Sequence, residues 1–538
     1  MQLTNYSYDT LPFSKLFRTY VSNFQKLSNF YGANPFDHEA IAKKVKAFEF
    51  AGDRRQTIEI LTAFNRQFDV DQATLDNLER LGQDDALVIV TGQQLGIYGG
   101  PLYTMMKTIT VIHLAQQFER KFNRPVIPVF WLADEDHDYD EVRGLHVINN
   151  DELEAFELPP KSNHLKAVAE MKLPDELQTF REKLKESLYD TDFSDDLWEV
   201  IDDSFGTQST FLSAFGNYMA RLFSKHGLVF AGSNNKKVKK ATRKCIKRSI
   251  SKADDIRTAL EEQSKTLNKD FHQQVTLYDS NLFYLDENNG RVKIIRNDDD
   301  WKTDTGRKWT TDQLLDEIET YPQRFSPNVF LRPVLQDKLL PSIGYVAGPG
   351  ETAYYGQMKQ MYSYFDLDMP VIFPRLSATL IEPAIDRIFG ELPFEFHEYG
   401  NRIEDLESDF VDRTEQTDIE AIFGDWKTKI EGISESKRKE ISDIDPTLDG
   451  AAGKATAAYF NELNKLKGKV YRAVKSQEET QLNRIRRIKT NLFPSDNLQE
   501  RSISGIYFMN KYGVDIWDDI LESLDQNEKY DQHKLIYL

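Results

Sequence analysis

The run from Ala86 to Glu141 limits the fold more than any other stretch of the chain. ALVIVTG (86–92) is a short apolar segment closed by a glycine, and GQQLGIYGGP continues from that glycine. A helix is expected from Leu102 to about Phe118, and a second apolar segment, PVIPVFWLA, occupies 125–133. Apolar runs this short, bounded by glycine or by charge, have the length of buried strands. Strand, glycine turn, helix, strand is the βαβ unit of a parallel sheet. Ligands of such sheets gather beyond the carboxyl ends of the strands. The two polar motifs that follow the strands, TGQQLGIYGGP (91–101) and DEDHDYDE (134–141), are therefore expected side by side.

The rest of the chain extends this plan. HEAIAKKVKAFE and RRQTIEILTAFNRQF, before residue 80, have helical spacing. KHGLVFAG (225–232) reads as a core strand, and a long helix follows it to about 270. NVFLRPVLQDKLLPSIGYVAGPGETAYYGQ holds two apolar runs joined by a loop, then a glycine turn and a helix start. MPVIFPRLS (369–377) gives one more strand. Between these lie two insertions. In 141–190, HVIN, FELP and AVAEMKL suggest short strands, and a helix starts near Pro174 and Asp175. In 255–320, VTLYD, LFYLD and RVKIIR read as antiparallel strands with an Asn-Asn-Gly turn at 288–290. The expected division is a discontinuous α/β core (1–140, 191–254 and 321–384), the two insertions, and a helical region over 385–538. In that region Leu463, Leu466, Val470, Val474, Leu482, Ile485, Ile488 and Leu492 make one stripe, with an imperfection around Gln477 to Gln481. The stripe suits a helical arm or coiled coil, packed within its own subunit or against a second copy.

Charge and composition narrow the function classes. The 538 residues carry 87 acidic and 68 basic side chains, a formal charge of −19. That balance disfavours broad binding to nucleic acid or anionic membrane. The single cysteine, Cys245, rules out an internal disulfide and a cysteine-rich zinc site. The first residues lack the pattern of a signal peptide, and no apolar run reaches membrane-spanning length. A cytoplasmic protein is expected.

Five segments can carry chemistry. Gly92, Gly96, Gly99 and Gly100 permit a tight turn and a close backbone approach to a ligand, and the next helix N-terminus suits phosphate. A tight turn alone also explains the glycines. Gln93 and Gln94 offer neutral donors and acceptors, whereas Lys107 sits further along the helix. The motif is neither a dinucleotide fingerprint nor a Walker A loop. Six of the eight residues in 134–141 are carboxylates, a crowding that raises pKa values or calls for a cation. Asp136, His137 and Asp138 are the candidates for catalysis, with Glu135 for substrate contact; helix capping is the structural alternative. Tyr354 and Gln357 follow the turn at Gly348 and Gly350 and can line a pocket or serve the core. Arg375 and Ser377 can hold a carboxylate or phosphate, or Arg375 can pair with the acidic cluster. KKVKKATRKCIKR (236–248) holds eight basic residues and no acid, and is either an anion-facing or a solvated helix face. No structural metal is expected.

TGQQLGIYGGPLYTMMK, PVFWLADEDHDYDEV, GPGETAYYGQ, FPRLSATLIEP and LQER (498–501) together resemble the bacillithiol biosynthesis cysteine-adding enzymes, over nearly the whole chain. The resemblance implies a Rossmann-like core of the class I aminoacyl-tRNA synthetase and nucleotidylyl transferase type, two connecting insertions, and a coiled-coil domain that makes a homodimer. It implies a ligase that adds L-cysteine to the amino group of glucosaminyl-malate, the last step of bacillithiol synthesis. ATP with Mg²⁺ would activate the cysteine carboxylate as an adenylate, its phosphates held by residues 91–101. Asp136 or Asp138 would grip the cysteine ammonium group, and Arg375 a malate or cysteine carboxylate. The chain departs from those synthetases in having neither a His-x-Gly-His pair nor a Lys-Met-Ser-Lys-Ser motif. The alternatives are a nucleotidyltransferase acting on another small molecule, acyl transfer from a preactivated donor, and a coiled-coil scaffold with a degenerate core. A role on tRNA has only fold analogy behind it, and the net charge opposes it.

Overall fold

The computed structural model describes the chain except for residues 162–165, 207, 288–289 and 415–418. The first two expected strands form as Leu87–Gln93 (β1) and Val126–Leu132 (β2), joined by the helix Tyr103–Phe122 (α1). Val229–Ala231 (β3) leads into the helix Lys236–Ser251 (α2). Ser342–Ala347 (β4) leads into the short helix Pro349–Tyr355 (α3), and Val371–Pro374 (β5) follows. All neighbouring pairs are parallel, and the order across the sheet is β5-β4-β1-β2-β3. The chain thus winds outward from β1 in one direction, then returns to start again on its other side. That reversal creates a crevice at the carboxyl ends of β1 and β4.

Alternation along the strands explains why both faces are covered. Leu87 and Ile89 of β1, with Phe130 and Leu132 of β2, belong to one apolar core. Val88 and Val90, with Ile127, Val129 and Trp131, belong to a second. Successive side chains of a strand point to opposite faces, so a strand apolar throughout must be packed on both.

Two compact units result. The first comprises Met1–Asn149, Leu153–Leu380 and Gln499–Leu538; the second comprises Asn150–Glu152 and Ile381–Leu498. The helical region was expected to run to 538, but its last forty residues group with the α/β unit. Strand His533–Tyr537 pairs antiparallel with Gln2–Tyr6, and it also neighbours Ala378–Ile381. Glu500 completes the attachment. Its carboxylate accepts both ends of the Arg375 guanidinium (2.7 and 2.6 Å), the Ala378 amide (2.9 Å) and the Ser377 hydroxyl (3.0 Å). Arg375 is 3% exposed and Glu500 0%, so neither charge has water to fall back on.

Several local expectations change. AVAEMKL contains a 3₁₀ turn at Val168–Glu170 and no strand, and VTLYD forms no strand. The helix after β3 is two helices, because Lys252 leaves helical geometry between Ser251 and Ala253. The first apolar run after Pro327 is the helix Leu331–Leu339. LFYLD and RVKIIR do pair, within a five-stranded antiparallel sheet. Asn288 and Asn289 of the proposed turn lie outside the described residues, while Gly290 has a φ of 70°.

In the second unit, Ile419–Ile444 and Asp449–Gln477 form an antiparallel hairpin. Lys467 pairs with Glu420 near its base, and Arg438 with Asp449 near its tip. The single stripe of the sequence breaks at Glu478, where a new helix, Glu479–Leu492, begins. Leu482, Ile485, Ile488 and Leu492 are buried, whereas Leu466 is exposed.

Removing one partner of a buried ion pair strands the other, a loss of about 3–5 kcal/mol. Glu500→Ala is expected to lower the unfolding free energy of the α/β unit, read from urea titration, by that order. Lys237→Ala, which breaks the exposed pair with Glu59, should cost less than about 1 kcal/mol. Equal shifts in the two variants would contradict the clamp.

Candidate active-site cavity

A cavity of about 570 Å³ opens at the crevice between β1 and β4. Its size falls in the range of small-molecule sites. The ends of β1 and β2, the turn into α3 and the antiparallel sheet all contribute to its wall.

Lys107 organises the centre. It lies one turn into α1, whose neighbouring residues are buried, and is 4% exposed. Its ammonium donates to the Gly92 carbonyl (2.8 Å) and Gln93 Oε1 (3.0 Å), and pairs with Glu351 Oε2 (2.6 Å). Glu351 also accepts from the Gly348 amide and the Tyr345 hydroxyl, both at 2.7 Å. Burial alone would raise the Glu351 pKa, but Lys107 and these donors outweigh it and hold the carboxyl below its usual range. Burial lowers the Lys107 pKa against the pull of Glu351.

The acidic motif divides by position. Asp134 is buried and accepts from the backbone amides of Ser233 (2.9 Å) and Asn234 (3.0 Å), tying the end of β2 to the end of β3. Burial, reinforced by Glu135, pushes its pKa up to about 7. Glu135 lines the cavity but is already neutralised: it accepts from Ser233 Oγ (2.5 Å) and forms an ion pair with buried Lys239 of α2. Asp136 and Glu141 also line the cavity, and both accept from Gln94 Nε2 (3.4 and 3.2 Å). Burial raises the Glu141 pKa, as do Asp136 and Asp138.

The remaining candidates scatter. Gly92, Gln93, Gln94, Glu135, Asp136, Tyr354 and Arg375 border the cavity; His137, Asp138, Gly96, Gly99, Gly100, Gln357 and Ser377 do not. His137 is exposed, and Asp138 caps the short helix Tyr139–Val142 through the Glu141 amide (3.2 Å). Gly99 and Gly100 have φ of 88° and 67°, and a Cβ at Gly99 would meet Met105 at 2.6 Å and Tyr218 at 2.7 Å. Those glycines serve turning and packing. At the start of α1 the Leu102 N–H donates to the Ile503 carbonyl (2.8 Å). Gln357 binds Ser264 and both backbone groups of Val275. Ser377 is taken up by Glu500 and by His533 (2.8 Å). Arg375 pairs with Glu500 and not with the acidic cluster.

Sequence reasoning missed Tyr103, Trp131, Arg291, Arg332 and Arg501 of the lining and looked past Lys107. For Lys107 a signal existed, a lone lysine in the apolar stretch YTMMKTITVIHLA. Arg291 carried none, because the hairpin holding it read as an insertion remote from the site. No residue of the basic run of α2 lines the cavity; Lys239 bears on it only through its ion pair with Glu135. Lys237, Arg243, Lys247 and Arg248 pair with Glu59, Glu319 and Asp366. Cys245 is buried, which pushes its thiol up to about 11 and leaves it unreactive. Among the described residues no group of three His, Cys, Asp or Glu side chains is placed to hold a metal, and no helix is long and apolar enough to cross a membrane.

Comparison with known proteins agrees with this architecture. The family described as "Bacillithiol biosynthesis BshC, N-terminal Rossmann-like domain" matches residues 1–376, and "Bacillithiol biosynthesis BshC, C-terminal coiled-coil domain" matches 378–538. The chain belongs to the BshC family. Relatives in this family named "Putative cysteine ligase BshC" include that of Salinibacter ruber, 32% identical over 95% of this chain and 94% of the relative. That of Geobacillus kaustophilus is 30% identical over 98% of each. That of Bacillus cereus is 29% identical over 90% of this chain and 91% of the relative. This BshC-family chain therefore has a Rossmann-like α/β core and a helical C-terminal region.

Asp134 supplies a pH test of the β2–β3 junction. Its folded pKa, about 7, lies above the ordinary 3.8, so the folded state holds the proton more tightly. Its contribution to stability is complete below the ordinary value and is lost as pH rises through about 7. In urea titrations the wild type should lose stability relative to Asp134→Asn between those pH values, and the gap should then stay constant. A gap independent of pH would mean that Asp134 ionises normally.

Proposed function

We propose that this chain is a cysteine-adding ligase that joins L-cysteine to the amino group of glucosaminyl-malate, with ATP activating the carboxylate. The observation that carries the reading is a cavity of mixed charge at the switch point of a Rossmann-ordered sheet. A class I synthetase or nucleotidylyl transferase type of core puts its chemistry at that place.

The chemistry asks for three things from the protein. A carboxylate oxygen is a poor leaving group, and ATP supplies a better one. The residues at the crevice fit a nucleotide polyanion. A Cβ at Gly350 would meet only Gln274, at 4.0 Å, so the backbone there borders open cavity. With Gly92, Gln93, Tyr103 and the exposed Arg501, the Gly348–Gly350 turn would hold the nucleotide, and Mg²⁺ would arrive with it. An ammonium group must then be positioned and deprotonated. Asp136 and Glu141, held together on the Gln94 amide, attract the ammonium, and a carboxylate of raised pKa is suited to accept its proton. Finally, water must be kept from the activated acyl group, which the aromatic lining at Trp131, Tyr345 and Tyr354 favours.

A homodimer through the helical region belongs to the same proposal. Ile422, Trp426, Ile433, Tyr459 and Leu466 are exposed on the hairpin, an apolar surface suited to a second copy.

The purified protein should convert L-cysteine, glucosaminyl-malate and ATP–Mg²⁺ to a product of the mass of bacillithiol, with AMP and pyrophosphate in equal amounts. Mass spectrometry reads all three. Product with ADP would keep the ligase and replace the adenylate by an acyl phosphate; product without ATP would point to a preactivated donor. AMP-linked product without an amide would point to a nucleotidyltransferase.

A further inference from the structure

Most charges in and behind the cavity wall are matched. Lys107 pairs with Glu351, Arg375 with Glu500 and Lys239 with Glu135. Arg291 and Arg332 are the exceptions among the partly buried cations. Arg291, from the antiparallel sheet, donates Nε to Ser326 Oγ (3.0 Å) and Nη2 to the Pro327 carbonyl (2.6 Å). Its guanidinium also lies 3.9 Å from the centre of the Phe283 ring. Arg332, from Leu331–Leu339, donates Nη1 to Gln336 Oε1 (3.2 Å) and Nη2 to the Tyr354 hydroxyl (3.1 Å). Among the described residues neither has a carboxylate at ion-pair distance. All of their acceptors are neutral, and most of each five-donor fork remains uncommitted.

A guanidinium withdrawn from water without an anion is costly, and the cost is recovered when an anion binds. A second donor in the same wall is also unsatisfied. Trp131 is 1% exposed, and its indole Nε1 has no hydrogen-bond partner among the described residues. The cavity therefore holds acceptor-seeking groups from three elements, anchored by neutral contacts that fix their direction.

We propose that Arg291 and Arg332 form a paired guanidinium subsite that takes the two carboxylates of the substrate's dicarboxylate half. This deepens the ligase reading and rests on it for the identity of that half, malate. Charge favours a dicarboxylate over a nucleotide triphosphate here. Two partly buried unpaired cations balance two carboxylates, whereas the third lining cation without an ion pair, Arg501, is exposed and stands with the Gly348–Gly350 turn assigned to the nucleotide. Geometry agrees, since a planar fork matches the two coplanar oxygens of a carboxylate.

The test uses the full-length protein and two probes, L-malate and a non-hydrolysable ATP analogue with Mg²⁺, in titration calorimetry. Arg291→Gln and Arg332→Gln should each weaken L-malate by about tenfold or more while leaving the ATP analogue nearly unchanged. Arg291→Lys and Arg332→Lys keep the charge and lose the fork; they should recover only part of the L-malate affinity, and they guard against a glutamine variant that does not fold. No binding of L-malate to the wild type, a loss confined to the ATP analogue, an equal loss of both probes, or no loss at all would each overturn the subsite. Failure of the wild type to make an amide product while L-malate binding behaves as expected would instead defeat the ligase reading alone.

Discussion

The buried pair of Lys107 and Glu351 is the interaction on which the site depends. Lys107 stands on α1, between β1 and β2, and its ammonium caps the Gly92 carbonyl at the end of β1. Glu351 stands in the first turn of α3, beyond β4. Their bond closes the crevice where the winding direction of the sheet reverses, the one place where two adjacent parallel strands send their connections apart. Without a bridge, the backbone groups at both strand ends would face an open cleft. With it, Gln93 is fixed by the same ammonium, and Gln93 in turn donates to the Tyr103 hydroxyl (3.2 Å). The lysine thus spends its donors on architecture, which leaves ligand charge to other cations.

Arg375 and Glu500 repeat this logic at the far edge. An arginine at the end of β5 looks like an anion receptor when only its own strand is visible. Its partner arrives more than one hundred residues later, after the whole helical unit has been traversed. The return of Gln499–Leu538 to the α/β unit makes Glu500 an internal anion, and Ser377, Ala378 and Gln499 complete the junction: Gln499 donates to the Leu380 carbonyl (2.9 Å) and accepts from its amide (2.8 Å). Placing a helical excursion between two segments that close on each other makes the α/β unit's completion dependent on both ends of the chain.

These cases show what was legible in the sequence. The strands at 86–92 and 125–133, and the meeting of their polar ends, followed from run length and glycine placement, because a strand buried on both faces has few other options. Gly92, Gln93, Gln94, Glu135 and Asp136 could be placed at the site for the same reason. The residues that follow them in the same two motifs could not. Asp138 caps a helix and Gly99 packs beneath Tyr218, and nothing in the local pattern separates a capping carboxylate from a catalytic one. Arg291 and Arg332 were invisible for a different reason. They reach the cavity through tertiary placement of a sheet and a helix whose own periodicity concerns only their packing.

The basic run of α2 brings these threads together. Eight basic residues facing a site would have made it a strong anion trap, yet none of them lines the cavity, and Cys245 in their midst is buried. One of them, Lys239, is buried behind the wall and neutralises Glu135, which lines it. Its effect on the site is subtractive. With Glu135 matched, the acidic character of the cavity is carried by Asp136 and Glu141, both gripped by Gln94. With Lys107 and Arg375 matched in the same way, its partly buried cationic character is carried by Arg291 and Arg332. A crowded set of charges is thereby reduced to one acidic and one basic locus in a single cavity, which is the simplest electrostatic requirement for holding an amine and a carboxylate on one substrate in a fixed orientation.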